Sequence, residues 1–88
     1  MSIRKFQAFL VFSQTGTIAA TAKSLHQSSA AVSVQLKQLE QDVGGSLFHR
    51  SKKSISLTTL GYRLLPLAEQ ILKLNNQILT LNTPSQVS

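Results

Sequence analysis

Apolar residues recur at helical spacing in four stretches of this chain, and at strand spacing only between the third and the fourth. Ile3, Phe6, Phe9 and Leu10, with Val11 and Phe12 beside them, predict a helix over Ile3 to Gln14. Ser2 can cap its start, and Thr15-Gly16 ends it. Thr17 then opens a short second helix, Ile18 to Leu25, whose stripe is Ile18, Ala22 and Leu25. Its small residues Ala19, Ala20, Thr21 and Ala22 permit close helix–helix approach. His26-Gln27 leaves only a tight turn before the next helix, so the two must cross steeply, as in a helix-turn-helix. His26 reads as a turn residue rather than a catalytic or metal-binding one.

The third helix runs from an N-cap at Ser28 to a left-handed stop at Gly44, with Val32, Leu36, Leu39 and Val43 as one apolar stripe. Ala30, Val34, Lys37, Gln38 and Gln41 point away from that stripe, with Ser29 and Ser33 on its flank. A plain solvated face more often carries Glu and Lys throughout. This one is small and neutral near its start, with a cation a turn further on, as a face entering a DNA groove would be. An ordinary amphipathic helix is the competing reading of this segment alone.

After Gly44-Gly45 the pattern becomes short and extended. Leu47 to Arg50 and Ser54 to Leu57 predict two strands, with Arg50, Lys52 and Lys53 crowded at the hairpin tip. A helix-turn-helix followed at once by a basic hairpin is a winged helix, whose wing meets a phosphate backbone or a minor groove. A solvated turn is the alternative for the hairpin by itself.

Thr58 can cap a last helix reaching about Asn82. Leu57, Leu60, Leu64, Leu67, Ile71, Leu74, Ile78 and Leu81 alternate three and four apart, a heptad seam, and Leu65, Ala68, Leu72 and Leu79 form a second stripe. One stripe can pack on the winged helix. The other calls for a partner, most simply a second copy of the chain, rather than only completing the monomer core. Gly61 allows close approach near the start. Pro66 removes one helix hydrogen bond and predicts a kink, but the stripe runs through it in phase. Thr83 to Ser88, with Pro84, reads as a linker or frayed end.

Composition narrows the function. Eighty-eight residues make one small domain, and with no cysteine there is neither a disulfide nor a thiolate metal site. His26 and His49 have no ligand spacing, so neither metal nor cofactor is expected. Nine Lys/Arg against three Asp/Glu give a formal charge of +6. A pI near 10.4 accompanies it, and a polyanion is the implied partner: nucleic acid first, an anionic membrane second. No run approaches the roughly 20 apolar residues of a membrane span, and the chain reads as soluble and intracellular. An enzyme reading would need Ser33, His26 or His49, and Asp42 as a triad. No nucleophile elbow, phosphate loop or carboxylate pair supports it.

Phe9, Gly16-Thr17, Ala22, Leu25, Ser28, Ala31-Val32-Ser33, Leu39-Glu40, Gly44, Leu47-Phe48, Arg50, Leu57-Thr58 and Gly61 together carry a resemblance that runs from about Ile3 to Leu81 without a gap. On these residues the chain resembles the N-terminal DNA-binding region of the LysR-type transcriptional regulators. The resemblance implies a mainly α fold, a winged helix-turn-helix of three helices and a two-stranded wing, over residues 1–58 with the helix-turn-helix at about 18–37. A dimerisation linker helix over 59–82 and a hinge or tail over 83–88 would follow. Family members usually continue into an effector-binding domain, so the chain looks like a DNA-binding fragment ending at the hinge, or a natural short protein.

The function expected is sequence-specific regulation of transcription in the bacterial cytoplasm, as a dimer on an interrupted inverted repeat of double-stranded DNA. A tetramer would be possible only in a full-length protein, and a small-molecule effector would act only through the further domain. Ser29, Ala30, Ser33 and Val34 would face bases. Thr17, Ser28, Lys37, Arg50, Lys52 and Lys53 would hold the backbone. Leu64, Leu67, Ile71, Leu74, Ile78 and Leu81 would form the dimer interface. The sequence departs from the family where Gln, Pro and Arg are usual at the reading face and Ser29, Ala30 and Val34 stand instead, and where Thr21 precedes Ala22. Gln35 matches a frequent family glutamine. The alternative function is a helical dimerisation module that does not bind DNA.

Overall fold

Three phenylalanines on one face of a helix need several neighbours to cover them, and the rest of the chain folds around that face. The computed structural model describes residues 3–50 and 55–82. The elements are α1 (Ile3–Thr15), α2 (Ile18–Leu25), α3 (Ser29–Val43), β1 (Phe48–Arg50), β2 (Ile55–Leu57) and α4 (Thr59–Leu79). The proposed Ser2 cap, the hairpin tip with Lys52 and Lys53, and the tail from Thr83 lie outside the described residues.

Phe6, Phe9 and Phe12 of α1 are buried with Val32, Leu36 and Leu39 of α3, Leu47 and Phe48 before and in β1, and Leu64 and Ala68 of α4. The Phe48 ring meets Phe12 edge-on, with centroids 4.7 Å apart, and tilts against Phe9 at 5.8 Å. Each large side chain buried this way contributes about 1.5–3 kcal/mol. The wing is thereby rooted in the same core as the helices.

β1 and β2 pair antiparallel with Phe48 opposite Leu57, His49 opposite Ser56 and Arg50 opposite Ile55. β1 begins one residue later than the strand pattern predicts. The Leu47 N–H is bonded to the Glu40 carboxylate at 2.8 Å, and its carbonyl accepts from Thr58 N–H at 3.0 Å. Both groups are used in joining the wing to the helices on either side of it.

α4 runs unbroken through Pro66 but stops at Leu79, short of the expected Asn82. The Thr80 hydroxyl donates back to the Asn76 carbonyl at 2.9 Å, and Leu81 N–H bonds to the Ile78 carbonyl at 3.3 Å, which tightens the last turn. Leu81 therefore lies past the helix rather than on its seam.

Candidate nucleic-acid interface

The candidate surface is built from two capped helices and the turn between them. Thr17 and Ser28 are both extended. The Thr17 hydroxyl accepts from Ala20 N–H and the Ser28 hydroxyl from Ala31 N–H, each at 3.1 Å. Both residues are exposed, and each hydroxyl proton is still available to a phosphate oxygen. Each helix start also presents backbone N–H groups and the positive end of its dipole.

The turn is set by His26, left-handed at φ 56. Its N–H bonds to the Lys23 carbonyl at 3.3 Å and Gln27 N–H to the Ala22 carbonyl at 2.9 Å, the paired closure of a Schellman end. Across the turn, Gln35 Nε2 donates to Gln27 Oε1 at 2.8 Å. Gln35 Oε1 is buried and makes no hydrogen bond. Sequence periodicity places Gln35 on the flank of α3, but cannot show that its amide is engaged with a residue eight positions earlier.

A second network sits under the start of α2. Thr21 is fully buried, although its neighbours in sequence read as a small-residue patch. Its hydroxyl donates to the Thr17 carbonyl at 2.8 Å and lies 2.8 Å from the Thr15 hydroxyl. Buried, it ties the end of α1 to the N-cap of α2.

On α3 the inner stripe falls as its spacing predicts: Val32, Leu36 and Leu39 are buried and Val43 is half-buried. Ser29, Ala30, Ser33 and Val34 share the exposed side of its first two turns, with Val34 53% exposed. Lys37, Gln38 and Gln41 continue that side toward the C-terminus, all exposed. Gly44 closes the helix with φ 81. Near that end Asp42 is paired with Lys5 of α1 at 3.0 Å. Glu40 is turned inward onto Leu47 N–H. Two of the three acidic residues are thus occupied within the fold.

Among the described residues no cluster of His, Cys, Asp or Glu could hold a metal ion, and no helix is long and apolar enough to cross a membrane.

The decisive comparison is with family models: that of the bacterial regulatory helix-turn-helix proteins, LysR family, matches residues 3–62. The chain belongs to the LysR family. Relatives include the HTH-type transcriptional regulator HdfR of Yersinia enterocolitica and of Yersinia pestis, each 39% identical over 72 residues, covering 82% of this chain and 25% of theirs. The chain spans about a quarter of the length of these curated relatives. Among solved structures, the complex of the CbnR DNA-binding domain with DNA is similar at a TM-score of 0.81 and 36% identity, covering 88% of both chains. A full-length OxyR variant from Pseudomonas aeruginosa has a TM-score of 0.88 and 25% identity, covering 99% of this chain and 30% of its own. The fold is the winged helix-turn-helix of LysR-type regulators.

Within this LysR-family chain, the six residues expected at a dimer interface do not share one surface. Leu64 is buried and Ile71 half-buried against the core, whereas Leu67, Leu74 and Ile78 are 54%, 57% and 64% exposed. Leu65 and Leu72 of the second stripe also pack on the core, while Leu79 is 72% exposed. Residues three apart lie about 60° from each other around a helix, so the Leu64–Ile71 row of the seam faces the core while the Leu67–Leu74 row faces outward. Leu64 is buried in the monomer's own core.

Proposed function

We propose that this LysR-family chain is a sequence-specific DNA-binding regulator of transcription, acting as a dimer in the bacterial cytoplasm. The N-terminal half of α3 enters the major groove with Ser29, Ala30, Ser33 and Val34 toward the bases. Thr17, Ser28, Lys37 and the wing residues Arg50, Lys52 and Lys53 hold phosphates and set the register. Two copies join through the outer face of α4 at Leu67, Leu74 and Ile78, and read the halves of an interrupted inverted repeat. A small-molecule effector would act through a domain outside these residues.

The observation that carries this reading is the outer face of α3: exposed, neutral and small, directly after a capped helix start, on a chain of charge +6. The likeness to the CbnR DNA-binding domain solved with DNA supports it. Exposed leucines on the last turns of α4 support the dimer, since contiguous apolar surface marks association sites.

The test is titration of labelled duplex DNA at two salt concentrations. The expected result is binding that weakens steeply with salt. A Lys52→Ala/Lys53→Ala variant should flatten the log–log slope by up to about two for each protomer bound. Absence of salt-dependent duplex binding by the parent chain overturns the reading, and a dimer without it would favour the protein-interaction module. An unchanged slope in the double variant removes the wing lysines from the backbone contacts.

A further inference from the structure

We infer that the outer face of α3 recognises the C5-methyl groups of thymine, with Ala30 and Val34 as the methyl-reading residues. This rests on the proposal that α3 enters the major groove, and it names the chemistry read there.

Discriminating guanine takes the paired donors of Arg or Lys, and discriminating adenine takes the donor and acceptor of one amide. The start of α3 offers neither. No Lys or Arg occurs between Lys23 and Lys37. The two amides that flank this surface, Gln27 and Gln35, are bonded to each other at 2.8 Å, and the Gln35 carbonyl oxygen is buried. The exposed groups of the first two turns are the hydroxyls of Ser29 and Ser33 and the methyls of Ala30 and Val34. A hydroxyl donates or accepts and bonds to most base edges, so it discriminates weakly. The methyls are the discriminating groups that remain. Their counterpart in the groove is the one apolar group a base pair presents there, the thymine methyl.

The spacing is suitable. Ala30 and Val34 are four residues apart, so their positions differ by about 6 Å along the helix axis. Stacked base pairs are about 3.4 Å apart, so the pair can meet methyls about two steps apart. Gln38 continues the same row, but lies about 12 Å beyond Ala30 and further from the end that enters the groove. Val34 is 53% exposed in the free chain, so contact with a methyl removes apolar surface from water on both sides.

Deoxyuridine differs from thymidine only by that methyl, which makes it the probe. A site recovered by selection from random duplex DNA is synthesised with thymine, and again with uracil at the thymines of each half-site. The uracil duplex should bind about four-fold more weakly for each contacted methyl. Replacing a cytosine at a contacted position by 5-methylcytosine should tighten binding by a similar factor. In an Ala30→Ser/Val34→Ser variant, confirmed folded by circular dichroism, thymine and uracil duplexes should bind alike. Equal affinity of the parent chain for the two duplexes overturns methyl reading and leaves DNA binding standing. A thymine preference that persists in the double variant overturns the assignment to Ala30 and Val34. Failure to bind either duplex overturns the DNA-binding reading, and this inference with it.

Discussion

The Glu40 carboxylate, one turn from the end of α3, accepts a hydrogen bond from the backbone N–H of Leu47 at 2.8 Å. That bond fastens the wing's entry strand to the helix proposed to read DNA. A charged acceptor bonded to a half-buried N–H contributes more than a neutral one, and its loss leaves the donor without a partner. Glu40→Ala should destabilise the fold by about 1–3 kcal/mol, with Glu40→Gln milder because its amide oxygen still accepts. Urea denaturation followed by circular dichroism reads both.

The other end of the same junction depends on Gly61. A Cβ there would run into the Leu47 carbonyl oxygen, and would also crowd Leu57. Thr58 caps α4 on Gly61 N–H at 3.0 Å while its own hydroxyl donates to the Ser46 carbonyl at 2.7 Å, so the helix start cannot back away freely. Gly61→Ala should therefore cost about 1–3 kcal/mol, as overpacking does. Gly45→Ala should cost less, because its Cβ meets only the end of the flexible Leu60 side chain. Comparing the two thermal midpoints checks the difference.

Much of the fold was legible because its punctuation is local. Ser28, Gly44, Thr17 and Thr58 act within a turn of themselves, and the structure finds α2 and α3 between the caps and stops that the sequence marks. The α3 stripe was legible for the same reason, since a period of 3.6 sorts inside from outside without knowledge of any partner. Contacts between distant residues were not. Glu40 with Leu47, Gln27 with Gln35, and Lys5 with Asp42 depend on where the chain returns. The buried Thr21 hydroxyl looked like one more small residue. The α4 seam shows the same limit: its spacing matches a heptad, but which of its two rows faces inward depends on α1 and the wing.

The two faces of α4 should separate in mutants. Leu64→Ala removes a side chain buried in the core and should destabilise the monomer fold by about 2–5 kcal/mol. Leu74→Glu/Ile78→Glu places charge on the exposed face and should leave circular dichroism unchanged while shifting the mass in solution from dimer to monomer. Multi-angle light scattering after size exclusion reads the mass. A double variant that stays dimeric would move the interface off this face.

If the exposed start of α3 reads DNA, a substitution at Val34 must change which bases are preferred. Selection of bound sites from random duplex DNA, run in parallel on the parent chain and on Val34→Arg, compares their base preferences. Both should recover inverted repeats, and the variant should shift toward guanine within each half-site, since an arginine there can pair with guanine O6 and N7. Identical preference profiles from the two proteins would contradict DNA reading by that surface.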